Sequence, residues 1–215
     1  LMRWALATGR IDRDVTGGIL RVQASRVTLP RGLTPDQVQL LLGACDTDTL
    51  AGLRDLAVIQ MLWRLGLRAG ECSGLQLDDL NWAEGTLAVV GKGQRQLVLP
   101  IPQDVGARLV EWLQHRPTET EDRAVFVRLH SPIEALSRSG ISGIVKRRAH
   151  QAGLGLVHAH RLRHTAATNV LTAGGSVNEA QNLLGHRHAP TTGVYARVDV
   201  DSLRSLAVPF GQVPR

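Results

Sequence analysis

The apolar positions of this chain follow two rhythms. From Leu33 onward they recur every three or four residues, the spacing that lines one face of a helix. Val38, Leu41 and Leu42 form the first such stripe, Leu56, Ile59 and Trp63 with Gln60 the second, and Val105, Leu109 and Leu113 the third. Between the second and third stripes the chain changes character. Thr86 to Val90 and Gln96 to Ile101 are β-rich and flank Gly91-Lys92-Gly93-Gln94, which predicts a hairpin.

Local punctuation sharpens these elements. Thr34 with Pro35 and Gln37 is a capping box opening the first helix. The second helix is predicted from Leu53 to Leu65 and is stopped by Gly66, and a short third one runs from Ala69 to Leu75. Further helices are predicted after Pro102, from Ser139 to Ala152, from His160 to Ala173 before Gly174-Gly175, and from Val177 to Leu184 before Gly185. A last helical turn holds Tyr195, and another follows at Ser202 to Ala207. The expected architecture is a predominantly helical α+β domain with a small antiparallel sheet, spanning 33–215. Residues 1–32, broken by Gly17-Gly18 and Pro30-Arg31-Gly32, read as a tail and connector, and the Leu1-Met2 opening reads as that of a fragment.

Composition changes this picture little. Across 215 residues, 43% are hydrophobic and 20% charged, which permits an ordinary globular core. Cys45 and Cys72 form no CxxC pair and no disulfide framework, and no apolar run has the length of a membrane span or a signal peptide. A reduced, cytoplasmic protein is expected. Charge adds more. The net charge is +6, and no acidic residue occurs from Ala135 to Asn178, a stretch holding Arg138, Lys146, Arg147, Arg148, Arg161, Arg163 and four histidines. Such a block attracts phosphate, although a solvated basic face would carry the same residues.

Four patterns carry candidate chemistry. They are Gly66-Leu67-Arg68-Ala69-Gly70-Glu71, then Gly91-Lys92-Gly93, then His160-Arg161-Leu162-Arg163-His164-Thr165, and finally Leu183-Leu184-Gly185-His186 with Tyr195 beyond it. A guanidinium fork matches two phosphate oxygens, so arginines on separate elements can clamp one phosphate and offset charge in a pentacoordinate transition state. His160 and Arg163 are three apart and share a helix face. Lys92, at a hairpin tip, can protonate a leaving oxygen. Tyr195 is the only tyrosine. Its phenol, with an ordinary pKa of roughly 10, needs cations and a base to become a nucleophile.

Taken in order, these patterns resemble the catalytic domains of the tyrosine recombinase, or phage integrase, family, over about Leu33 to Val198. Arg68, Lys92, His160 with Arg163, His186, and Tyr195 nine residues beyond it stand at the family's catalytic positions. The resemblance implies that Tyr195 attacks a scissile phosphodiester to give a 3′-phosphotyrosyl bond and a free 5′-hydroxyl. Arg68 and Arg163 would hold the non-bridging oxygens, Lys92 would serve as general acid, His160 would assist proton transfer, and His186 would bind the phosphate. No metal and no cofactor is implied. Double-stranded DNA is the implied partner, with two subunits per site and four in a synapse. Residues 1–32 would be the remnant of an upstream core-binding domain. Arg95 stands at one secondary phosphate-contact position, but Leu97 replaces a basic residue near the other. Arg138, Lys146, Arg147 and Arg148 are the candidate DNA contacts of the basic helix.

Rival readings carry less. Singly, Arg68 reads as a surface arginine, Lys92 as a turn lysine and Tyr195 as a packed tyrosine. His160 and His164 are four apart and are candidates for a zinc module, yet no HExxH and no nearby carboxylate accompany them. A catalytically inactive, DNA-binding accessory factor would use the same basic helix without needing a tyrosine in register. A type IB topoisomerase would share the chemistry.

Overall fold

The structure, a computed structural model, describes residues 32–91, 96–118, 122–176 and 179. Among these the order is α1 (Pro35–Gly43), α2 (Leu50–Arg64), α3 (Ala69–Ser73), a 3-10 turn (Leu77–Asp79), β1 (Leu80–Asn81), β2 (Thr86–Val90), β3 (Gln96–Pro100), α4 (Gln103–His115), α5 (Arg138–Gln151) and α6 (Ala159–Thr172). The connector over 1–31, the hairpin tip with Lys92 and Arg95, the helix expected at 177–184, and the turns at Tyr195 and 202–207 lie outside the described residues.

The capping signals operate as read from the sequence. The Gln37 amide donates to the Thr34 hydroxyl at 3.3 Å, and the Thr34 amide donates to the Gln37 side chain at 3.1 Å. α2 starts three residues earlier than expected. Gly52 disfavours a helix by propensity, but the Thr49 hydroxyl accepts its N–H at 3.0 Å and caps the helix there. Gly52 is needed at that place, because a Cβ would stand 1.7 Å from the Asp46 carbonyl oxygen.

α2 is the central element. Every residue from Gly52 to Leu62 is buried, including Arg54, Asp55 and Gln60. α4 and α6 pack against it, and α5 packs against α3. The sheet has order β1-β2-β3, antiparallel, with Leu80 opposite Leu87 and Leu87 opposite Leu99. Leu87, Val89 and Leu99 face the core. β1 is only two residues long, too short to leave an alternating pattern. The segment after α4 is also part of the core. Phe126 stacks on Trp112 at 6.5 Å between centroids, and the Trp112 indole donates to the Val125 carbonyl at 2.8 Å.

A buried carboxylate joins α2 to α5. Asp55 is fully buried. Its Oδ1 accepts from Arg54 at 3.1 and 2.8 Å, and its Oδ2 accepts from Arg148 at 2.9 Å and Arg147 at 3.2 Å. Arg148 also donates to the Ala44 carbonyl and the Gln151 side chain, each at 3.1 Å. This corrects the expectation that Arg148 contacts DNA: its guanidinium is buried and bonded inside the fold. The start of the domain is held as well, by the Leu33 amide donating to the Thr165 hydroxyl on α6 at 2.8 Å.

Asp55→Ala removes the counter-charge from buried guanidinium groups, and urea unfolding is expected to show a loss of about 3–5 kcal/mol. Arg64 and Asp104 form a half-exposed pair, and Asp104→Ala is expected to cost less than about 1 kcal/mol. Equal losses for the two variants would contradict this ranking.

Candidate active site

The site begins where α2 ends. Leu65 caps the helix and Gly66 takes φ 62°, the left-handed conformation that closes helices at low cost for glycine. This reversal presents the Gly66 carbonyl to α6, where Arg163 donates to it. Two residues later Arg68 caps α3 with extended backbone. Glu71, at the third position of that helix, reaches back and accepts the Arg68 amide at 2.8 Å.

The same carboxylate holds two guanidinium groups. Glu71 Oε1 accepts from Arg68 at 2.6 Å, and Oε2 lies 3.7 Å from Arg163. Arg163 is nearly fully buried, whereas 44% of the Arg68 side chain is exposed. Burial, with Arg68 nearby and Glu71 opposing, pushes the Arg163 guanidinium down to about 10, so it is still a cation at neutral pH. Among the described residues the cluster holds two cations and one carboxylate, and its exposed member is Arg68. Such cations would attract a phosphodiester, and a transition state with more negative charge would bind more tightly.

His160 stands on α6 three residues before Arg163. Its ring meets His164 edge-on, with centroids 4.4 Å apart and Nε2 to Nε2 2.9 Å. Desolvation, then His164, Arg163 and Arg68, hold the His160 imidazole below its ordinary range. It is therefore a neutral acceptor near pH 7. The Cys72 thiol, next to Glu71, is buried and pushed far up by desolvation, which keeps it unreactive.

The structure thus brings Arg68, His160 and Arg163 to one place. Arg138 opens α5 and its side chain passes beside Gly70 of α3. Arg138 and Lys146 are exposed, as is about half of the Arg147 side chain, although Arg147 also donates to Asp55. Lys92, Arg95, His186 and Tyr195 lie outside the described residues. Among the described residues no three His, Cys, Asp or Glu side chains group to hold a metal ion, and no helix is long and apolar enough to cross a membrane. Glu71 closes the first of the four sequence patterns, where the family resemblance gives it a structural place beside the arginines and no catalytic one. The Gly66 carbonyl as an anchor for Arg163 had no signal in the sequence.

Comparison with known proteins decides the family. The model of the phage integrase family matches residues 31–201. The chain belongs to the phage integrase family. Similar family members include a putative integrase/recombinase of Sinorhizobium fredii, 38% identical over 97% of this chain and 52% of its own length. The tyrosine recombinase XerC of Alcanivorax borkumensis is 36% identical over 94% of this chain and 66% of its own. The chain thus spans half to two thirds of the length of these relatives. Among solved structures, the XerA recombinase is similar with a TM-score of 0.65 and 27% identity, over 84% of this chain and 65% of that one. The mostly helical domain with its three-stranded antiparallel sheet is the catalytic-domain fold of this family.

Folding disfavours protonated His160. Its contribution to stability is complete above the ordinary imidazole value and is lost as pH falls through the lowered one. An NMR titration is expected to place His160 below 6.5 and to move it upward in Arg68→Ala. A midpoint at or above 6.5 in the wild type would contradict the described electrostatics.

Proposed function

We propose that this chain is the catalytic domain of a tyrosine site-specific recombinase that cuts and rejoins double-stranded DNA through Tyr195. The observation that carries this reading is the Arg68–Glu71–Arg163 cluster, with neutral His160 on the same helix as Arg163. Two guanidinium groups fixed on separate elements suit a phosphodiester better than a small neutral substrate.

In this reading the Tyr195 oxygen attacks phosphorus while Arg68 and Arg163 hold the non-bridging oxygens. The phenol proton passes to His160. The bond to the 5′-oxygen breaks, and Lys92 delivers a proton to that oxygen. His186 donates a hydrogen bond to the phosphate. The 3′-phosphotyrosyl bond conserves the energy of the broken linkage, so a 5′-hydroxyl of a partner strand can reverse the step without a nucleotide cofactor. Arg138, Lys146 and Arg147 on the exposed side of α5 contact the DNA backbone, with Arg95 beside the hairpin Lys. Residues 1–32 connect to an upstream DNA-binding domain in a longer cytoplasmic protein, which acts as two subunits per site and four per synapse.

The test is covalent capture. The protein carrying this chain is offered nicked duplexes tiled from DNA flanking its gene, and species that survive denaturant are scored. The wild type is expected to give an adduct and Tyr195→Phe none. Arg163→Lys is expected to slow its formation about 100-fold, because an ammonium cannot reproduce the fork. An adduct retained in Tyr195→Phe would overturn the assignment of the nucleophile. Salt-sensitive binding with no adduct would favour the accessory-factor reading.

A further inference from the structure

His164 is not among the catalytic family positions matched in the sequence, yet its ring meets that of His160. The two rings are four residues apart on α6, so the helix fixes their spacing. Their Nε2 atoms are 2.9 Å apart, a hydrogen-bond distance. Only one proton can lie between the two nitrogens. One Nε2 must therefore donate and the other must accept, and the two rings cannot choose their tautomers independently.

We infer that His164 is a positioning residue that accepts the Nε2 proton of His160 and so leaves His160 Nδ1 as a free base. This rests on the recombinase reading for its direction. If His164 were the donor, His160 would hold its own proton on Nδ1 and its lone pair would be engaged. No nitrogen would then remain to take the phenol proton of Tyr195. With His160 as donor, the Tyr195 O–H bond breaks and an N–H bond forms at Nδ1. The resulting imidazolium keeps its Nε2 hydrogen bond to His164, now charge-assisted and stronger. In the return step the departing phenolate recovers that proton.

The surroundings favour a neutral His160. Arg163 on the same helix and Arg68 from α3 face His160, and Glu71 lies on those arginines. On the α5 side Arg138 runs beside Gly70. The arginines oppose protonation of His160, and Glu71 already accepts hydrogen bonds from Arg68.

Ring-nitrogen NMR on the whole protein, without DNA, reads the tautomers directly. His160 is expected as the Nε2–H form in the wild type. The same form is expected in His164→Gln, whose amide oxygen can accept the bond, whereas His164→Phe should show mixed tautomers. In covalent capture on the nicked duplexes, His164→Phe is expected to react about tenfold slower and His164→Gln within about twofold of the wild type. A His160 ring protonated on Nδ1 in the wild type would overturn the inference. Equal losses in the Gln and Phe variants would do the same, because a packing role would not separate them. If the wild type forms no adduct on any duplex, the recombinase reading fails by itself, and the spectra still decide the tautomer.

Discussion

The carboxylate of Glu71 is the interaction on which the site depends. Arg68 at the cap of α3 and Arg163 on α6 repel one another, and Arg163 is buried. A buried guanidinium without compensation is costly. Glu71 supplies that compensation while also closing the first turn of α3 through the Arg68 amide. One side chain therefore closes the first turn of a helix and lies between two cations.

The rest of the fold keeps α2, α3, α5 and α6 where Glu71 can act. The turn at Gly66 brings the end of α2 to Arg163 through a single carbonyl. At the far side of α2, Asp55 anchors α5 through Arg147 and Arg148, and α5 in turn packs on α3. The domain thus uses two carboxylates for similar ends. Asp55 is sealed in the interior and serves architecture, whereas Glu71 lies under an exposed arginine and serves the site.

Much of this was legible in the sequence, for identifiable reasons. Helix stripes, the Thr34 capping box and the stop at Gly66 are local signals, and each reports on neighbours within a turn or two. The pair of His160 and Arg163 was legible for the same reason, since the two are three apart on a helix. What was missed is non-local. Arg148 read as one more basic residue facing DNA, because its partner Asp55 is 93 residues away. β1 was invisible because two residues carry no period. The start of α2 was misplaced because Gly52 argues against a helix locally, and only the Asp46 carbonyl packed against it explains why glycine stands there.

The central claim is that this charged cluster serves attack by Tyr195 on a DNA phosphate. Mass spectrometry of the trapped, trypsin-digested protein–DNA species tests it most directly. The account predicts nucleotide mass on the peptide spanning 188–197, which contains Tyr195, joined through a 3′-phosphate. Nucleotide on any other peptide, or attachment through a 5′-phosphate, would contradict it.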